Sequence, residues 1–315
     1  MGNIMTNMRQ TVANPRESTG TRTRQRIGSV QGEVEKAVFS RLAGAAARAA
    51  FVVVLITTPS ILLTGTHPET SQIVVLVALV AAVFTFLEYN STYPSLIEFR
   101  DAPPFNRTRF IGVFACVFVL TLVCRGKLEP TTLSLFLGAV ADRIAQVLDF
   151  PYSPIRLMVL AFSDQTDQTI IVDLRSAAAV AYTGSILTLS SFVLSLRMNQ
   201  WPTRWGGFNV WTNMPTFDPT AGGDVVYRLQ RDGQINLILG FLLPFLIPAA
   251  YKLASGVLPS TNLSDPHSMI WMVTAWAFLP ASLLMRGIAM GRVSQLIEAK
   301  RKRVLGTDGL QPASA

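Results

Sequence analysis

The residues of this chain that can do chemistry are few and far apart. Asp142, Gln146 and Asp149 recur at intervals of four and three, which places them in one stripe along a helix. Arg143 stands beside them. A polar stripe on an otherwise apolar helix is the pattern that meets a watery path, because a lone charge at mid-bilayer costs at least about 2.5–3.5 kcal/mol. Glu88 and Arg286 are an acid and a base near same-side ends of two apolar blocks. They form an ion pair if those blocks are neighbours, and otherwise each snorkels separately to the headgroups. Pro244 and Pro248 each remove one helical hydrogen bond, freeing the carbonyls of Gly240 and Pro244 for a neighbour, a water or an ion. That makes the segment a candidate hinge, with plain shape-setting as the simpler reading.

Other constellations fall short of a site. His67 and His267 sit beside Glu69 and Asp265, but without the compact spacing of a metal motif they read as loop histidines, and no metal is expected. Cys116 and Cys124 are eight residues apart on one apolar helix, about 12 Å along its axis, too far to pair. There is no phosphate loop, no His-Glu-x-x-His and no Gly-x-Ser-x-Gly elbow. Thr220-Ala221-Gly222-Gly223-Asp224 lacks the Gly-Lys-Ser/Thr ending and reads as a turn that starts a helix near Asp224. Asp164, Asp167 and Asp173, in the outer segment, are left as candidate surface ligands only. The chain is expected to be non-enzymatic and to hold no cofactor.

The elements that position these residues are apolar blocks. Half of the 315 residues are hydrophobic and only 15% are charged, against about 25% charged in soluble domains. Six blocks read as spans, the third of them short: 49–65, 72–90, 110–124, 176–196, 235–254 and 268–290. The fold class that follows is an all-α integral membrane protein, a polytopic bundle of about six transmembrane helices with an outer-side amphipathic or re-entrant segment at 131–162. A seventh crossing there would bury Asp142, Arg143 and Asp149 and would export the Lys300-Arg301-Lys302-Arg303 tail. Pro151-Tyr152-Ser153-Pro154 supplies the turn of a hairpin. In the fourth block Ala177, Ala181, Gly184, Thr188, Ser191 and Ser195 form a stripe of small side chains, a helix-packing face.

The ends are polar. Residues 1–28 lack apolar periodicity and read as a disordered tail; 29–48 reads as an amphipathic juxtamembrane helix along the inner surface; 291–315 is a basic tail. No cleavable signal precedes the first block, which is expected to stay attached. With the N-terminus inside, 20 of the 27 Lys and Arg fall on the inner side, so both termini are expected in the cytosol. Arg outnumbers Lys 22 to 5, a bias that points to a GC-rich bacterial genome and so to a bacterial inner membrane. The net charge of +8 lies beside apolar blocks, where topology and anionic lipid account for it and nucleic acid is not expected. The 197–234 loop carries Trp201, Trp205, Phe208, Trp211 and Phe217, an interfacial belt or a partner surface. The expected partners are the lipid bilayer and other membrane subunits that dock on this loop and the basic tails. The expected function is a non-catalytic scaffold or accessory subunit. The alternative is a small-solute transporter or channel running between the fourth block, the kinked fifth and the 131–162 segment.

Overall fold

The computed structural model describes residues 15–63, 68–162, 166–198, 201, 208–218, 220, 222–255 and 263–308. His67, Asp164, Trp205, Ala221 and residues 1–14 lie outside the described residues. Every regular element among the described residues is helical: α1 (Pro15–Leu62), α2 (Pro68–Asn90), α3 (Phe105–Arg125), α4 (Thr132–Leu148), α5 (Pro154–Phe162), α6 (Gln168–Met198), α7 (Val210–Asn213), α8 (Val225–Ala254) and α9 (Pro266–Asp308). Four of them open on proline, whose fixed φ and missing N–H suit a first helical position. Six are long and apolar enough to cross a membrane: Val38–Leu62, Glu69–Asn90, Phe105–Arg125, Gln168–Met198, Val225–Ala254 and Pro266–Val304. The protein is an all-α, multi-pass membrane bundle.

An even number of crossings returns the chain to the side on which it started. The N-terminal half of α1 and the C-terminal half of α9 therefore share one side, the termini face, with the loops before α3 and before α8. The α4–α5 hairpin lies on the opposite face. α9 is central, packed on α8, α6 and α3, whereas α2 packs on α1 at the edge.

Every spanning helix extends beyond its apolar block at one end or both, and the largest differences from the sequence reading are at the two ends of the chain. α1 runs without a break from Pro15 through the first span, so the juxtamembrane segment does not form a separate helix lying along the surface. The reason is local: between Ala43 and Ala50 six of eight residues are alanine, the best helix former, and no proline interrupts before Pro59. The same helix takes in residues 15–28, read above as a disordered tail. At the other end α9 continues to Asp308, well into the segment read as a tail. Arg301 hydrogen-bonds Asp224 at 2.6 Å, tying this extension to the start of α8, and this contact, ahead of the amide of Val226, holds the Asp224 carboxyl below its ordinary range.

Candidate functional site

The opposite-face hairpin follows the predicted turn. Thr131 and Ser134 form a reciprocal capping box that starts α4, and the Ser153 hydroxyl accepts from the Arg156 amide to start α5. Ile155, Met158, Val159 and Phe162 recur at helical spacing and are buried, so α5 is drawn into the bundle against α8, where Phe162 meets Tyr251 at 4.2 Å. α4 buries only Ser134, Ala141 and Ala145.

Along the polar stripe of α4, Asp142 and Gln146 are exposed and Asp149 is partly buried, and each has a polar partner. Ser176 donates to Asp142 at 2.6 Å, Arg156 and Arg175 approach Asp149 at 2.8 and 3.6 Å, and Arg143 donates to Gln146 at 3.2 Å. Lys127 pairs with Asp173 on the same face. Nearby, Asp265 caps α9. Burial pushes its carboxyl up, but hydrogen bonds from Ser268 and from the His267 amide outweigh this and hold it below the usual carboxylate range. His267 itself is buried with its Nε2 3.2 Å from the Ser60 hydroxyl, joining α9 to the end of α1.

Among the small residues of α6, Ala177, Ala181 and Thr188 are buried, Gly184 and Ser195 are partly so, and Ser191 is exposed. A Cβ on Gly112 of α3 would come within 3 Å of three atoms of Thr188, so α3 and α6 touch closely there. Nearer the termini face burial passes to Phe192 and Leu196.

The tightest approach lies elsewhere, between α8 and α9. A Cβ on Gly240 would sit 2.8 Å from the Pro280 carbonyl and 2.9 Å from the Leu284 amide; one on Gly287 would sit 2.7 Å from the Gly233 carbonyl. Backbones in contact at both levels make a glycine seam. The sequence reading missed it. Gly233 and Gly240 are seven residues apart, hence on one helix face, and Gly287-x-x-x-Gly291 carries the usual spacing, so the signal was present. The prolines of α8 serve this seam. Pro248 cannot bond the Pro244 carbonyl, and the Trp276 indole N–H from α9 donates to it at 3.1 Å. α8 stays one continuous helix through both prolines, which are buried.

The termini face holds the most elaborate polar arrangement, a cap built from residues 91–104, Trp201 and residues 208–218. The Glu88–Arg286 pair is not formed. α2 and α9 are not neighbours, and each residue has other partners. Glu88 accepts from the amides of Ser95, Leu96 and Ile97 at 3.0 to 3.2 Å and from the Ser95 hydroxyl at 2.5 Å, folding the loop after α2 around its carboxylate. Arg286 instead makes a two-pronged pair with Glu98, at 2.6 and 2.8 Å, and donates to Asn236 of α8 at 3.1 Å. Thr216 donates to Glu98 at 2.5 Å. One carboxylate thus joins the loop before α3, the loop before α8, and α9. Glu98 lies outside every apolar block, so block-based pairing could not find it.

An aromatic core sits beneath. Trp201 is fully buried, its indole donating to the Ala102 carbonyl at 3.4 Å, and Phe99 is flanked by Phe105 at 4.7 Å and Trp201 at 5.8 Å. Phe99 has φ +51°, an unfavourable value for a bulky residue, held by this packing and by its amide's bond to the Asn213 carbonyl. The interfacial-belt reading therefore fails for Trp201 and Phe217, which are core residues, while Trp211 remains exposed. The physical reason is that Glu88 and Asn213 satisfy the loop backbone, Glu88 accepting from the amides of Ser95, Leu96 and Ile97 and Asn213 accepting from the Asp101 amide and donating to the Asn209 carbonyl, so the rings can turn inward rather than toward the headgroups.

Compared with known families, curated proteins and solved structures, the chain matches no family model, no curated protein and no solved structure.

Proposed function

We propose that this protein is a non-catalytic scaffold or accessory subunit of a membrane assembly, with its termini in the cytosol of a bacterial cell and its cap as the docking platform. The observation that carries the reading is the use of polar groups. Of those a conduit would need, Asp142 and Asp149 are bonded to side chains of α5 and α6, and the Pro244 carbonyl freed in α8 is bonded to Trp276. The Glu98–Arg286 network and the Phe99–Trp201 aromatic cluster lie together on one face, flanked by two helices, α1 and α9, each much longer than the about 20 residues a crossing needs. Trp211 and Tyr227 stand exposed on that face, and aromatic side chains are favoured at interface centres.

Cysteine scanning from Leu133 to Asp149 in intact cells tests this against a transport role. Labelling by a water-soluble thiol reagent is expected only near the helix ends; labelling of the whole Asp142 stripe to mid-depth refutes the scaffold and favours a conduit. Mild-detergent extraction followed by native gels is expected to give a stoichiometric complex that Trp211→Ala weakens. A chain that migrates alone in every mild detergent refutes the docking role.

A further inference from the structure

On the termini face, α1, the last turn of α2 and the loop after it line a half-open cavity of about 490 Å³, within the range of ligand clefts, about 300–1,000 Å³. Its wall carries Arg41 and Arg48 of α1, Arg100 of the loop, Tyr89, Ser40 and Thr92, with one carboxylate, Asp101. Asp101 is already held by Arg100 at 3.2 Å. Arg100 also donates to the carbonyls of Glu88 and Ser91, and Arg41 to that of Asn90, so both cap α2. Arg48 lies over the Tyr89 ring at 4.6 Å and donates one bond to its own helix. Among the described residues neither Arg41 nor Arg48 pairs with a carboxylate. Each therefore has guanidinium donors to offer to an anion, and a guanidinium fork matches a phosphate oxygen pair.

A second observation points to the kind of anion. Phe51, one helical turn beyond Arg48 on α1 and largely exposed, meets Phe110 of α3 at 6.1 Å. Phe110, Phe114 and Phe118 then stack in sequence, each 6.1 Å from the next, along the apolar length of α3. A basic cavity at the end of two spans, continued into the bilayer by an aromatic ladder, has the two parts of a phospholipid: an anionic head and an acyl chain.

We propose that this cavity binds the phosphodiester headgroup of an anionic phospholipid, with one acyl chain along the Phe51–Phe118 ladder. The bound lipid bridges the α1–α2 hairpin, α3 and the cap, to which Thr212 links the cavity wall. It is a fixed component of the structure rather than bulk bilayer, since basic pockets between helices at this level select acidic headgroups.

The test uses the full-length protein in mild non-ionic detergent, read by thermal unfolding and native mass spectrometry. Dihexanoyl phosphatidylglycerol is expected to raise the unfolding midpoint and to be retained about tenfold or more over dihexanoyl phosphatidylcholine. Arg41→Gln with Arg48→Gln is expected to abolish the lipid-induced shift, and Arg125→Gln on the opposite face to leave it intact. Phe114→Ala is expected to weaken retention of the lipid. Equal retention of the two lipids by the unaltered protein overturns the proposal, a readout that does not depend on the variants folding. An equal shift from inorganic phosphate overturns the lipid assignment in favour of a free anion.

Discussion

Two antiparallel helix pairs, α1–α2 and α8–α9, are similar in hydropathy and opposite in construction. In α8–α9 the backbones touch at Gly240 against Pro280 and Leu284 and at Gly287 against Gly233. In α1–α2, Val74 and Ala78 are the buried apolar residues of α2, which packs on α1, and most of α2 faces outward. Lipid is as apolar as leucine, so hydrophobicity gives no reason for helices to associate within a bilayer; close packing and polar bonds do. The central pair has a glycine seam, the Trp276 bond to Pro244 and the Arg286 network. The edge pair has these two buried apolar residues on α2 and arginine caps at one end, and there the proposed lipid makes up the difference.

The strongest way to break the contrast is at the seam. Gly240→Leu places side-chain atoms where the Pro280 and Leu284 backbone stands, and overpacking of this kind costs about 3 kcal/mol or more when the obstacle is main chain. Membrane-fraction immunoblotting is expected to show no accumulated protein. Wild-type levels would mean the seam is not tight.

The cap gives an intermediate effect and a sharper one, because it discriminates between partners. Arg286→Glu turns an attractive pair into two facing carboxylates, with an expected loss of about 2–3 kcal/mol for these partly buried groups. Chemical-denaturant stability of the purified protein is expected to recover in part with Glu98→Arg and not with Glu88→Lys. Rescue by Glu88→Lys alone would restore the pair that the structure does not form.

The smallest effect is expected on the outward face of α2. Val77→Ala with Val80→Ala, both about half exposed, removes contacts to lipid only, with an expected change under about 0.5 kcal/mol per site. A loss comparable to that at Arg286 would show that this face is covered by protein.

How much could be read without coordinates differs from residue to residue for physical reasons. The six blocks were readable because spanning length and hydropathy are local properties. The 151–154 turn and the helix start at Asp224 were readable because proline, glycine and capping residues act within a few positions. Glu98 was not readable as the partner of Arg286: the two are 188 residues apart, and only the arrangement of α9 beside the 91–104 loop brings them together. Trp201 was misread for a similar reason. An aromatic ring suits a headgroup layer and a protein core equally well, and its burial depends on what the loop folds against.

The sequence by itself therefore determined a membrane bundle with six helices long and apolar enough to cross, and the polar segments that join them. These follow from the cost of placing polar groups in hydrocarbon, which each segment meets on its own. The tertiary structure decided which helices are neighbours, which glycines touch, and which acid each arginine meets. Those choices rest on shape complementarity among segments equally soluble in lipid, and no single segment contains that information.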